Sequence, residues 1–244
     1  MRELYSIRSY YFNKNVILIS MIKYIGFDKD GTLINSMASY AKIWGKIFHD
    51  NYGIDETQAE NFLLQTAGWP TAVQVDTLLR KHNIILPENE VFQKANQIAT
   101  TLGEKANLKP FPEVKEVLKK MKEKGYKIFV SSGQQERIIQ RDLEKTGLIQ
   151  YIDFFAGIRP SKPDYKKGKP HFKAAAKYFG VPFEKFVKET VFIGDTPTDV
   201  QVSKESNIIS IVRKGVNSDD RLLDEGARFV VNDFSNLSEL ISTL

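Results

Sequence analysis

The chain has 244 residues, which is enough for one large domain or for a core domain with an inserted one. It contains no cysteine, which excludes disulfide bonds, thiolate metal sites and a cysteine nucleophile, and suits the reducing environment of the cytoplasm. The net charge of +5 permits a nucleic-acid partner, but acidic residues interleave with the lysines, so we interpret the surface as an ordinary solvated one. No apolar run reaches the length of a membrane-spanning helix, so we expect no membrane association.

Residues 1–20 do not fit the pattern of the remaining chain. Basic residues precede a short apolar run at 16–19, as they do in a signal peptide, but the run is too short and no small-residue cleavage site follows it. We expect residues 1–20 to be an extension outside the folded core, which would begin at Met21.

Beyond this extension, predicted strands and helices alternate through most of the chain. Apolar runs predict strands at residues 22–28, 126–130, 154–158, 191–193, 208–212 and 229–231, and amphipathic spacing predicts helices at 113–124, 136–145, 171–179 and 237–244. Such alternation is typical of an α/β fold, with a Rossmann-like parallel sheet and right-handed crossovers. Ligands bind to sheets of this kind beyond the carboxyl ends of the strands.

The segment from 37 to 107 contains helical patterns only. Apolar residues at helical spacing follow the N-cap candidate Ser36, and further helices are predicted at 55–65, 71–81 and 88–105. A run of about seventy residues is too long for a single crossover connection. We therefore expect an inserted all-helical unit, after which the chain returns to the core at Pro110.

Two predicted strands end in acidic residues. The first runs into Asp28 and Asp30, and the strand at 191–193 runs into Asp195, with Asp199 four residues later. Two carboxylates one residue apart repel each other and are costly to desolvate unless a cation or a proton is shared. Magnesium would remove that cost, because hard cations prefer carboxylate oxygens. The alternative for each motif is an ordinary polar turn.

The predicted strand at 126–130, which lies between these two in the sequence, is also followed by polar residues. It ends in the hydroxyls of Ser131 and Ser132, which alone would be read as a helix N-cap, and a lysine-rich loop at 166–170 comes later. In this order the four segments resemble the motifs of the haloacid dehalogenase superfamily of phosphohydrolases. The resemblance covers most of residues 21–244 and is greatest to phosphoglycolate-phosphatase-like and β-phosphoglucomutase-like members with a helical cap.

The resemblance implies a domain organisation and a sheet order. The core would consist of residues 21–36 and 108–244, and the cap domain of residues 37–107. The parallel sheet would have the strand order 3-2-1-4-5. Trp69, in the predicted inter-helix loop at 68–71, is our candidate for a substrate-selecting residue, with packing inside the cap as the alternative.

The resemblance also implies catalytic roles. Asp28 would be the nucleophile that forms an aspartyl-phosphate, and Asp30 the general acid and base. Ser131 would bind the phosphate, with Ser132 as its neighbour and as the alternative register. A lysine should offset the charge on Asp28 and on the phosphoryl group.

The lysine and the metal ligands are expected as follows. Lys169 precedes Pro170 and best matches the Lys-Pro pattern of the family; the next helix is a few residues shorter than usual, which leaves Lys167 and Lys162 as alternatives. The expected cofactor is Mg²⁺, bound by Asp28, Asp30, Asp195 and Asp199, with Asp30 contributing its backbone carbonyl and Asp199 acting directly or by holding the lysine.

The expected function is that of a cytoplasmic, magnesium-dependent phosphatase for a small phosphomonoester, such as phosphoglycolate, a sugar phosphate or a nucleotide. Because Asp30 supplies a general acid, phosphate esters are favoured over halide displacement. A phosphomutase with the same residues is the alternative. A non-enzymatic module that binds nucleic acid or a protein is disfavoured by the complete set of acids.

Overall fold

A computed structural model of the chain describes residues 22–159, 161–162, 164–215 and 219–244. The expected extension at residues 1–20 lies outside the described residues. The described part contains one parallel sheet, whose strands are β1 (Tyr24–Phe27), β2 (Lys127–Gln135), β3 (Phe154–Ile158), β4 (Thr190–Gly194), β5 (Ile209–Arg213) and β6 (Phe229–Val231).

Helices connect these strands. In chain order they are α1 (Met37–Tyr52), α2 (Glu56–Gln65), α3 (Thr71–Lys81), α4 (Glu88–Lys105), α5 (Val114–Glu123), α6 (Glu136–Thr146), a 3₁₀ turn (Ile149–Tyr151), α7 (Lys169–Tyr178), α8 (Phe183–Lys188), α9 (Pro197–Lys204), α10 (Asp219–Glu225) and α11 (Leu237–Ser242). The sequence analysis does not predict α8, α9 and α10. Helix α9 is missed because its single proline and the two threonines beside it resemble a turn, whereas Pro197 occupies the first helical position.

The strand order β3-β2-β1-β4-β5-β6 confirms the predicted order and adds β6 at the edge. The four residues of β1 are all buried, and the strand pairs with β2 on one side and β4 on the other. Phe27 is in register with Val130 and with Ile193. The residues that follow these three are therefore level with one another at the carboxyl edge of the sheet.

The two faces of the sheet carry different cores. Ile25 and Phe27 face one apolar cluster, and Tyr24 belongs to a second cluster that includes Phe129 and Phe172 of α7. Gly26 lies between the rings of Phe129 and Phe192, and a side chain there would overlap both rings. Because side chains alternate along a strand, Asp28 and Ser131 lie on the same face as Tyr24 and Phe129, toward α7.

Helices α1–α4 follow one another without a strand, as predicted for the inserted unit. Trp44 and Phe48 of α1 stack with ring centroids 4.6 Å apart and are fully buried. The segment leaves and re-enters the core at one place, where Asn35 N donates to Lys109 O (2.9 Å) and Phe111 N donates to Leu33 O (3.1 Å). The exact domain boundaries at 36 and 108 stay a prediction.

None of the helices in the described ranges combines the length and the apolar character that a bilayer-spanning helix requires.

Candidate active site

The loop after β1 places Asp28 at the carboxyl edge of the sheet. Asp28 is buried, and its backbone N–H donates to Ile193 O of β4 (2.7 Å). Gly31 has a φ of +79° and packs directly against the carboxylate of Asp195, where any side chain would collide with it. Thr32 Oγ1 donates to Asp195 Oδ1 (2.9 Å), so the loops after β1 and β4 are fastened to each other.

Lys167 is the lysine that the structure brings to Asp28. Its Nζ lies 2.5 Å from Asp28 Oδ1 and 2.6 Å from Asp199 Oδ1, and its side chain is 14% exposed. The expectation that Lys169 occupies this place is wrong: Lys169 is exposed and begins α7, and Lys162 is also exposed. Gly168, at a φ of +105°, makes the turn that directs Lys167 inward. The signal in the sequence that left Lys167 open as an alternative is the shortness of the helix predicted after Pro170.

Asp199 has a double role that the sequence analysis only partly predicts. Its Oδ2 accepts hydrogen bonds from Asp195 N (3.2 Å), Thr196 N (3.0 Å) and Thr196 Oγ1 (2.6 Å). Together with the Thr196 side chain it forms a capping box at the start of α9. Its other oxygen meets Lys167, so Asp199 fixes both the loop that carries Asp195 and the lysine.

Asp28, Asp195 and Asp199 form a cluster that fits a divalent metal ion. Each is buried, and the three offer carboxylate oxygens within 4.8 Å of one another. Burial is the main cause that raises the pKa of Asp28, to about 7; the charge of Lys167 lowers it, and the nearby acids Asp199 and Asp30 raise it. Burial, followed by Asp199 and Asp28, also raises the pKa of Asp195. The Lys167 ammonium group pairs with Asp28 and Asp199, and a divalent cation held by the three carboxylates would further reduce their mutual repulsion.

The carboxylate of Asp30 does not join this cluster. It accepts hydrogen bonds from Ser36 Oγ (2.7 Å) and Lys29 Nζ (3.1 Å). Of the four expected metal ligands, the structure therefore brings three side chains together.

Lys29 is a site residue that sequence reasoning missed. It is fully buried, and its Nζ also donates to Asp142 Oδ2 of α6 (2.6 Å). Burial alone would lower the pKa of Lys29, but the surrounding carboxylates of Asp30 and Asp142 raise it above its ordinary value, so Lys29 stays protonated. Arg141 donates to the other oxygen of Asp142 (2.9 Å). The buried Lys29–Asp142 pair thereby fastens the loop after β1 to α6.

The two predicted phosphate-binding serines lie on opposite faces of β2. Ser131 is fully buried, shares the face of Asp28, and is level with it in the sheet. Its Oγ lies 2.9 Å from Nδ1 of His171. Ser132 Oγ accepts from Gln134 N (3.2 Å) instead. This placement favours Ser131 over Ser132 as the phosphate ligand.

The loop between α2 and α3 reaches the same edge of the sheet. A Cβ added to Gly68, which has a φ of +89°, would lie 2.9 Å from Thr196 Oγ1 and 3.2 Å from Thr198 Oγ1. The helical segment therefore touches the loop that carries Asp195. Trp69 is 47% exposed, which contradicts the alternative that it packs inside the helical segment.

Comparison with known proteins agrees with this geometry. The profile of the family described as haloacid dehalogenase-like hydrolase matches residues 25–212. The chain belongs to this family. It is 26% identical over 228 residues to a phosphoglycolate phosphatase of Haemophilus influenzae (strain 86-028NP), across 91% of this chain and 99% of the relative.

Solved structures show the same fold. A predicted phosphoglycolate phosphatase from Haemophilus somnus 129pt has a TM-score of 0.75 at 23% identity and covers 90% of this chain and 97% of its own. A putative β-phosphoglucomutase from Bacteroides vulgatus has a TM-score of 0.70 at 24% identity, with 93% and 91% covered. The predicted family, the predicted fold class and the assignment of the chain as a hydrolase are confirmed.

In this hydrolase, Lys29→Met should lower the free energy of unfolding by about 3 kcal/mol, because it removes the fully buried cation that Asp30 and Asp142 share. The double variant Lys29→Met/Asp142→Leu should lose less than the sum of the two single variants, since both buried charges are then gone. Urea denaturation measures each value. Arg80→Met is the matched control, because the Arg80–Asp76 pair is solvent-exposed and should contribute little. Additive losses in the double variant would contradict the coupling.

The raised pKa of Asp28 predicts how the stability of the metal-free hydrolase depends on pH. Because the pKa is about 7 in the folded chain and about 3.9 in an unfolded one, the contribution of protonated Asp28 is present below about pH 4. It is lost as the pH rises through 7. A divalent cation held by this cluster would bind the ionised carboxylates, so added Mg²⁺ should raise the melting temperature more at pH 8 than at pH 5. Asp195→Asn should abolish this response; an equal response at both pH values would refute the argument.

Proposed function

We propose that this chain is a magnesium-dependent phosphatase of small phosphomonoesters that works through an aspartyl-phosphate on Asp28. The observation that carries the proposal is the buried arrangement of Asp28 between Lys167, at 2.5 Å, and the carboxylates of Asp195 and Asp199. A single carboxylate at a strand end, held by an ammonium group and beside a cation-binding cluster, suits in-line attack on phosphorus. The likeness to the Haemophilus influenzae phosphoglycolate phosphatase supports the same class of reaction.

In this proposal Asp28 is ionised and attacks the phosphorus atom. When bound, Mg²⁺ neutralises charge on the nucleophile and on the phosphate, as in other phosphoryl transfers. Asp28, Asp195 and Asp199 are the side chains that would hold it. Lys167 offsets the charge that remains at Asp28 and on the transferred group.

Two further groups would complete the reaction. Ser131, level with Asp28 on the same face of the sheet, donates its hydroxyl to a phosphate oxygen. Asp30 protonates the leaving oxygen and then deprotonates the attacking water, after its carboxylate turns from Ser36 and Lys29 toward the substrate.

The helical segment serves as the cap in this proposal. Gly68 already contacts the loop after β4, so closure over the site needs only a small movement of the 68–71 loop. Half-exposed Trp69 stands beside this contact and offers a large apolar surface to the organic part of a substrate. A cap of this kind excludes bulk water while the ester bond is broken.

The decisive experiment is a phosphatase assay on a panel of small phosphomonoesters, beginning with phosphoglycolate. Asp28→Asn should lower turnover by at least about 10³-fold, because the attacking oxygen is replaced by an amide. Rapid quenching during turnover should leave phosphate on the wild-type chain and none on the variant, with matching melting curves as the control. Phosphate found on another residue would overturn the assignment. Net release of inorganic phosphate distinguishes the phosphatase from the phosphomutase alternative.

A matched pair of lysine variants tests the role of Lys167. Lys167→Met should reduce kcat by at least about 100-fold, because the carboxylates and the phosphoryl group lose their neutralising ammonium. Lys169→Met removes an equal charge two residues away on an exposed side chain and should leave kcat nearly unchanged. The reverse order of effects would show that Lys169 is the active-site lysine.

A further inference from the structure

Ser131 is supported from behind by a buried histidine. His171 is the third residue of α7, and its Nδ1 lies 2.9 Å from Ser131 Oγ; both residues are fully buried. The ring of Tyr165 packs on the imidazole with centroids 4.9 Å apart. Within the described part of the chain, Nε2 of His171 has no hydrogen-bond partner. The contact with Ser131 is therefore the side-chain hydrogen bond that orients this ring.

The imidazole of His171 is neutral at pH 7. Burial is the main cause that lowers its pKa, to about 4, and the nearby charge of Lys167 acts in the same direction. The backbone carbonyls of Tyr165 and Gly157 oppose the shift only in part. A neutral imidazole carries one proton, so Nδ1 is either a donor or an acceptor toward Ser131.

The two tautomers have opposite consequences for phosphate binding. If Nδ1 is unprotonated, it accepts the hydrogen bond of the Ser131 hydroxyl, which then has no proton to donate to an anion. If Nδ1 carries the proton, it donates to Ser131 Oγ, and the hydroxyl proton is free to point elsewhere. Nε2 makes no hydrogen bond with the described residues, although the backbone carbonyls of Tyr165 and Gly157 lie near the ring. A Ser131 hydroxyl that donates to phosphate requires the second tautomer.

We propose that His171 is a positioning residue, whose Nδ1–H donates to Ser131 Oγ and so turns the Ser131 hydroxyl proton toward a phosphate oxygen of the substrate. The inference rests on the proposed phosphatase function and extends it to a residue that does not touch the substrate. Two placements support it. Ser131 shares the face and the level of Asp28, and His171 lies on the helix that covers this face.

Two variants at one position separate positioning from simple packing. His171→Phe keeps a ring but removes both nitrogens, whereas His171→Asn supplies an amide N–H near the place of Nδ1. His171→Phe should weaken the binding of inorganic phosphate about tenfold and raise KM more than it lowers kcat, because a hydrogen bond to an anion is lost. His171→Asn should restore most of the affinity. Equal affinities of the wild type and the His171→Phe variant would overturn the inference.

A second background tests whether His171 acts through Ser131. In Ser131→Ala, the further change His171→Phe should alter phosphate affinity by less than about twofold, since there is no hydroxyl left to orient. A tenfold effect that persists without the serine would mean that His171 acts by another route, and would refute the positioning role.

The wild-type chain also allows a direct measurement that does not depend on the folding of any variant. The chain contains three histidines, and His49 and His82 are exposed, so the signals of His171 are distinguishable in ¹⁵N-histidine-labelled protein. With Mg²⁺ and inorganic phosphate present, the nitrogen shifts should report a neutral ring protonated at Nδ1. Protonation at Nε2 in that state would overturn the inference.

The outcomes of these experiments keep the two proposals apart. A wild-type chain that hydrolyses no phosphomonoester overturns the proposed function. An active wild type whose His171→Phe variant binds phosphate unchanged overturns only the role of His171.

Discussion

The structure depends on balancing negative charge at the end of a buried strand. Asp28, Asp195 and Asp199 converge where water is largely excluded, and Lys167 is the cation that reaches two of them. Such a convergence of acids is unfavourable for stability alone, because desolvated carboxylates repel each other. The surrounding residues nonetheless hold these acids in place. Gly31 has no side chain and so leaves room for the Asp195 carboxylate, and Asp199 is part of the capping box in the first turn of α9.

Parallel register is what brings these groups together from distant parts of the chain. Asp28 and Asp195 follow β1 and β4, and Ser131 lies within β2; these three strands are adjacent in the sheet although they are far apart in sequence. Crossover helices then supply the remaining groups, with α6 giving Asp142 to Lys29 and α7 giving His171 to Ser131. Each reactive side chain is thus held by a second element, and this limits the motion of the site.

The residues that could be predicted from the sequence are those whose signal is local. An apolar run that ends in Asp28, or in Gly194 and Asp195, is visible in the sequence as a strand with a charged end. The alternation of such strands with helices predicts the parallel sheet. Which lysine lies beside Asp28 depends on the turn at Gly168, where φ is positive, and no pattern of lysines and prolines reveals that turn. Lys29 could not be interpreted without Asp142, because its partner lies 113 residues away on a helix that reads as ordinary and amphipathic. The sequence around His171 does not indicate that its side chain contacts Ser131, which lies 40 residues away.

The helical segment leaves and re-enters the core at one point, so it is topologically an insertion. Asn35 and Lys109 are hydrogen-bonded neighbours, so the two ends of the segment are spaced as closely as adjacent strands. A short turn could join them without disturbing any strand of the sheet. The sheet is therefore topologically continuous without the helical segment, and a segment of another length could be inserted at this point without changing the order of the strands.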